Sequence, residues 1–213
     1  MIRLVFPPKC VLCGSLLERE QRDLCPRCRK ETQRYPNKRT RFPHLAKVTA
    51  LWYYKDNVRL SILRYKFSGR VAYARSYGQL LAQVLAEEGA EFDLLSWVPV
   101  SFPRLLKRGY DQSRLLAQWL GKSLGITPVR VLKKFRHTKA QSLSGDAAHR
   151  RANVLGVYRC TCPEEIKGKR ILLVDDILTT GATGSECART LLTAGAKEVS
   201  LAVLAVADHT KQQ

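Results

Sequence analysis

The sequence predicts an α/β protein, a parallel sheet flanked by helices, with a small cysteine-rich module ahead of it at the N-terminus. Three observations carry that expectation. In ILLVDDILTTGAT, Ile171 to Thr183, the apolar run Ile171, Leu172, Leu173, Val174 is entered from Lys169-Arg170 and closed by Asp175 and Asp176, as befits a strand buried on both faces. Similar runs at 47–54, 94–100 and 199–206 are separated by segments of helical period. Finally, Cys10-Val-Leu-Cys13 and Cys25-Pro-Arg-Cys28 form two knuckles eleven residues apart, in a stretch too poor in apolar residues to fold unaided. The expected division is a zinc-finger-like module and linker over 1–43 and the α/β domain over 44–213.

With 213 residues and 45% hydrophobic content the chain can build one sizeable core and an appendage, which excludes fibrous and disordered classes. Its 37 basic against 18 acidic residues leave a formal charge of +19, which predicts a polyanionic partner, nucleic acid first. No apolar stretch approaches the roughly 20 residues of a membrane span. Met1 to Pro8 lacks the apolar core and cleavage site of a secretory signal, so the expected location is the cytoplasm. Seven cysteines, an odd number, fit metal and free thiols in a reducing compartment better than a disulfide framework.

In chain order, Cys10, Cys13, Cys25 and Cys28 have the spacing to surround one structural zinc tetrahedrally; a redox pair is the weaker reading, since no βαβ pattern surrounds them. From Arg29 to Arg41 the chain is polar, basic and broken by Pro36, and reads as a linker. Its Arg34, Lys38, Arg39 and Arg41, with Tyr35 and the nearby Phe42, either form a solvated tether or touch a nucleic-acid backbone and stack on a base. A strand over Lys47 to Tyr54 precedes a helix over Asn57 to Phe67, with Val58, Ile62 and Tyr65 at helical spacing. Lys66 near its end favours the helix C-terminus by default, or else supplies a cation to the site. Ala72 to Glu88 is an amphipathic helix that buries Tyr77, Leu80, Leu81, Val84 and Leu85. After the strand Leu94 to Val100, Ser101, Arg104, Lys107 and Arg108 place three cations ahead of a helix running to about Leu124, as a pyrophosphate grip or as a solvated basic turn. The polar tract from Arg136 to Asn153 is too long for a connector and reads as a lid, with Arg136, Lys139, Arg150 and Arg151 closing over a polyphosphate. His137 and His149 read as surface residues, and Cys160, Cys162 and Cys187 as free thiols. A helix from Thr183 to about Ala194, capped by Gly195, and a strand from Val199 to Val206 complete the chain.

The chemistry gathers at the carboxyl end of the Ile171 strand, the edge at which open α/β sheets bind ligands. Thr179, Thr180, Gly181, Ala182 and Thr183 offer three hydroxyls, a glycine that lets backbone amides approach a ligand, and the unpaired N–H groups of a helix start, which together make a phosphate cradle. Asp175 and Asp176 accept hydrogen bonds and cannot donate them, so they suit the diol of a ribose, directly or through magnesium. A phosphate beside a diol points to ribose 5-phosphate. The competing reading is a buried strand, an Asp turn and a Thr-capped helix with no ligand.

This stretch closely resembles the phosphoribosyl pyrophosphate (PRPP) motif of type I phosphoribosyltransferases. Together with the knuckles, Val98-Pro-Val100, Arg104, Arg108-Gly-Tyr-Asp-Gln-Ser113, Arg136-x-Thr-x-x-Gln141 and Arg151-x-Asn153, it makes the chain resemble the ComF family over nearly its whole length. The resemblance implies a type I phosphoribosyltransferase-like domain behind a zinc-ribbon-like module, and a site at 175–183 for PRPP or a related phosphoribosyl ligand with magnesium. It also implies a role in handling single-stranded DNA during natural transformation or DNA utilisation, beside other DNA-uptake proteins. An active phosphoribosyltransferase with a nucleobase or amine acceptor is the alternative, and a zinc-tethered interaction module with a degenerate pocket a third reading. Two departures from the family stand out. Asp111 replaces the usual Asn, a carboxylate that opposes anion binding unless Arg108 or a metal pairs with it. There is also a single cysteine quartet, which implies one zinc rather than two.

Overall fold

Alternation of side chains along four parallel strands sets the architecture. The computed structural model describes residues 7–37, 42–135 and 156–207. Within these the elements are α1 (Pro26–Glu31), β1 (Val48–Tyr53), α2 (Asp56–Phe67), α3 (Tyr73–Glu87), β2 (Leu94–Trp97), α4 (Phe102–Arg108), α5 (Gln112–Leu124), β3 (Leu132–Lys134), β4 (Tyr158–Cys160), α6 (Pro163–Ile166), β5 (Arg170–Leu178), α7 (Ala182–Thr193) and β6 (Glu198–Val206). The sheet runs β1-β6-β5-β2 and every neighbouring pair is parallel. Because successive residues of a strand point to opposite faces, Leu172 and Val174 join a core with residues of α2, α3 and α5, while Ile171 and Leu173 join another with α7 and the antiparallel β3–β4 hairpin. Both faces are covered, as a parallel sheet requires.

The five apolar residues expected on the inner stripe of α3 are all buried, each contributing about 1.5–3 kcal/mol. Gly78 on the same helix allows α5 to come close: a Cβ there would stand 2.7 Å from the backbone of Trp119 and Leu120. Strand ends differ from expectation for reasons of pairing. β2 stops at Trp97 rather than Val100, since Pro99 has no N–H for a ladder. β5 continues past Val174 to Leu178 because β6 remains beside it, matching Asp175 to Val203 and Leu178 to Val206. The two acids therefore lie within a strand whose other neighbour has already ended. That offset opens a cleft at the sheet's carboxyl edge.

The N-terminal stretch is bound to this framework rather than hung from it. Val11 and Leu12, both buried, belong to the same core as Trp52, Ile62 and Tyr65, and their carbonyls accept bonds from Ser61 Oγ and, at 2.5 Å, from Arg64 Nη2 of α2. Nor is the expected linker a free tether over its described part. Tyr35 N–H donates to Leu51 O at 3.0 Å, and the Asn37 amide both donates to and accepts from the Ala50 backbone. The segment thereby occupies the open edge of β1, which would otherwise present unpaired backbone groups. Lys38, Arg39 and Arg41, and the tract from Arg136 to residue 155 with its His137, Lys139, His149, Arg150 and Arg151, lie outside the described residues.

Candidate functional site

The four sulfurs of Cys10, Cys13, Cys25 and Cys28 all lie within 4.8 Å of one another. A tetrahedral zinc with Zn–S of about 2.3 Å spaces its ligands about 3.8 Å apart, and Cys13 Sγ stands 3.7 Å from Cys25 Sγ. Cys25 Sγ also accepts from Cys28 N at 3.4 Å, where Pro26 opens α1. Cys10, Cys25 and Cys28 are buried, so the donor set fits a closed structural zinc site that holds loops together and leaves no position for a substrate.

The chemistry expected at the end of β5 is in the cleft. It is a small hollow of about 120 Å³ that brings Asp175, Asp176 and Thr183 together with Arg104 and Arg108 of α4, and with Lys66, Gln112, Lys134 and Tyr158. Strand alternation gives the acids separate partners. Asp176, buried, receives Lys66 Nζ on Oδ1 at 2.8 Å and Gln112 Nε2 on Oδ2 at 3.0 Å. Asp175 Oδ1 receives Ser113 Oγ and the Asp176 amide, each at 2.8 Å. Burial first, and the Asp176 charge second, push the Asp175 carboxyl up to about 7. On the other wall, burial first and the Arg104 charge second pull the Lys134 ammonium down, although its Nζ lies 5.3 Å from the centre of the Tyr158 ring. Two cations held close in a partly dry hollow favour an anion between them.

Between β5 and α7 the chain turns through Thr179 and Thr180 to Gly181, which has φ +76° and occupies the N-cap of α7. Thr180 Oγ1 accepts from Ala182 N at 3.4 Å, a long bond that leaves most of the helix start to other acceptors. Gly181 is buried beneath Phe42: any Cβ there would run into the aromatic ring. Phe42 thus roofs the turn between β5 and α7.

The other expected site residues divide. Ser101 is buried at the N-cap of α4, and Lys107 is exposed and does not line the cleft. The three cations sit on a short helix, closed by Gly109 at φ +78°, rather than on a basic turn. Arg108 lies 4.8 Å from the centre of the Phe67 ring. Asp111 caps α5 by accepting from Arg114 N at 3.0 Å, so backbone amides rather than Arg108 answer its carboxylate. Arg34 pairs with Glu87 at 3.1 Å, and Tyr35 meets Tyr53 edge-on with centroids 5.3 Å apart.

Sequence reasoning missed Lys134 and Tyr158, since the hairpin that presents them pairs residues far apart in the chain. Gln112 was visible only as part of a motif. Lys66 stands in the last turn of α2, where a cation is ordinary, and only its ion pair with Asp176 marks it as part of the cleft.

Comparison with known proteins agrees with this layout. The phosphoribosyl transferase domain family matches residues 108–213 and the double zinc ribbon domain family residues 1–40. Competence protein F of Haemophilus influenzae is 27% identical, over 92% of this chain and 96% of its own. DNA utilization protein YhgH of Escherichia coli O157:H7 is 30% identical, over 90% of this chain and 87% of its own. Competence protein ComFC of Streptococcus pneumoniae is 29% identical, over 89% and 84%.

Proposed function

The chain belongs to the ComF family, and from that premise we propose that it binds PRPP or a related phosphoribosyl ligand with magnesium and serves the handling of single-stranded DNA in natural transformation or DNA utilisation. The observation that carries the ligand reading is one cleft containing two acids, a threonine of the α7 start and the Arg104 and Arg108 cations. Asp175 and Asp176 would hold the ribose hydroxyls, the turn Thr179, Thr180, Gly181, Ala182, Thr183 the 5-phosphate, and Arg104, Arg108 and Lys134, with Ser101, Lys107 and Arg136 nearby in the chain, the pyrophosphate. Both oxygens of Asp176 already have partners, so magnesium fits as an ion carried by the ligand's phosphates more than as one caged by protein. It would neutralise the pyrophosphate charge.

In this reading residues 1–43 are the zinc module and its linker and 44–213 the ligand-binding domain, working in the cytoplasm beside other DNA-uptake proteins. The +19 charge supports a nucleic-acid partner, with Arg34, Tyr35, Lys38, Arg39 and Arg41 as its contacts. Among the described residues no helix is long and apolar enough to cross a membrane. Calorimetric titration with PRPP and magnesium tests the ligand: saturable binding that is lost in Asp175→Asn is expected, and equal heats from both proteins would remove the site assignment.

A specific feature favours an enzymatic second reading, a phosphoribosyltransferase acting on a nucleobase or amine. Cations at the pyrophosphate side of the cleft stabilise a leaving group, and such chemistry needs no protein nucleophile. Pyrophosphate release on adding an acceptor to enzyme and PRPP is the readout.

A further inference from the structure

Gln112 holds an unmet hydrogen-bonding demand in the wall of the cleft. The residue is 4% exposed, and its two side-chain amide atoms have unequal fates. Nε2 donates to Asp176 Oδ2, which fixes the orientation, because a flipped amide would set oxygen against carboxylate. The backbone is pinned as well, since Tyr65 OH donates to Gln112 O at 2.6 Å. That leaves Oε1 buried, aimed by its neighbours and without a hydrogen-bond partner among the described residues. A buried acceptor left so is costly, and a ligand that brings a donor relieves the cost.

Every acid oxygen that faces a donor adds to the same count. Asp176 is engaged by Lys66 and Gln112, and Asp175 Oδ1 by Ser113 and an amide. Anionic parts of a phosphoribosyl ligand bring acceptors, which Oε1 repels. Its sugar hydroxyls are the donors.

We propose that Gln112 Oε1 accepts a hydrogen bond from a ring hydroxyl of the bound sugar and makes the cleft selective for ribose 5-phosphates over deoxyribose 5-phosphates. The proposal rests on the phosphoribosyl reading of the cleft and deepens it. A protein engaged with DNA would thereby keep DNA-derived sugar phosphates out of this site. Sites built around a buried acceptor reject an analogue that lacks the matching hydroxyl, because the acceptor then stays unpaired.

The test measures affinities for ribose 5-phosphate, 2-deoxyribose 5-phosphate and 3-deoxyribose 5-phosphate by calorimetry with magnesium, on the full chain and on Gln112→Met and Gln112→Asn. In the parent protein one of the two deoxy sugars should bind about tenfold or more weakly than ribose 5-phosphate. In Gln112→Met that gap should narrow severalfold, because ribose 5-phosphate loses one of its acceptors while the deoxy sugar that lacks the matching hydroxyl does not, and Gln112→Asn should lie between them. If Gln112→Met weakens all three sugars by the same factor, or none, Oε1 reads no hydroxyl and the proposal is overturned. Should ribose 5-phosphate fail to bind the parent protein at all, the phosphoribosyl reading itself falls. A melting curve of each unliganded variant separates lost binding from lost folding.

Discussion

Replacing Lys66 by Met should show how much of the cleft's stability depends on one cation. Lys66 Nζ lies 2.8 Å from Asp176 Oδ1, with side chains only 16% and 6% exposed. Methionine fills a similar volume but leaves the carboxylate with Gln112 as its remaining donor. Breaking a buried pair on one side costs about 3–5 kcal/mol. The cost depends on pH with a definite sign. The Lys66 charge holds the Asp175 carboxyl down; without the ammonium that carboxyl rises further, so the folded chain binds more protons than the unfolded one and stability falls as pH rises. Urea denaturation of Lys66→Met should therefore show nearly the whole loss at about pH 8 and much less at about pH 5. Arg34→Met is the control, since the Arg34–Glu87 pair is 63% and 59% exposed and such a pair is worth under about 1 kcal/mol at either pH. A Lys66→Met protein that lost under about 1 kcal/mol at pH 8, or the same amount at both values, would refute the account of a charge-balanced cleft.

Removing zinc with a chelator, or Cys25→Ser, should lower the melting temperature of the whole protein, because Val11 and Leu12 share a core with Trp52, Ile62 and Tyr65; separate transitions observed by calorimetry would contradict this. PRPP with magnesium should raise the melting temperature, and Thr180→Val should reduce that rise by removing a phosphate hydrogen bond. The affinity for PRPP should increase with pH through about 7, as Asp175 becomes an acceptor for hydroxyls, and a flat profile in titrations would argue that Asp175 does not meet the sugar. Binding of oligothymidine should weaken with salt, with a log-log slope of about 0.7 per neutralised phosphate; charge reversal at Arg34 and Lys38 should flatten that slope, while Tyr35→Ala weakens binding by about 1–3 kcal/mol with the slope kept.

The apolar strand, the acids behind it, the threonine-rich turn and the cysteine knuckles were legible because each is written in consecutive residues with a local physical reason. Less legible were features made by distant pairing. Lys133 and Arg159 face each other across the hairpin from opposite ends of a long polar tract, so neither three-residue strand has a pattern of its own. The edge contact of Tyr35 and Asn37 with β1 depends on backbone groups and one amide, which leave no hydrophobic trace in a sequence. Lys66 illustrates the ambiguity of charge. A cation in the last turn of a helix satisfies the helix dipole in any protein, and only the position of β5 gives it Asp176 to neutralise. The acids read as a pair in the sequence, yet period-2 geometry gives them different partners because the strand continues through them.

The ring of Phe42 resting on Gly181 ties two parts of the gene that an engineer would treat as separate cassettes. A chimaera that takes its N-terminal module from one relative and its threonine-rich turn from another would cross over close to this contact. A residue smaller than Phe at 42 would unroof the turn, and any residue other than Gly at 181 would meet both a left-handed backbone and an aromatic ceiling. A joint placed before Phe42, rather than at the start of the first strand, would keep residue 42 with residue 181.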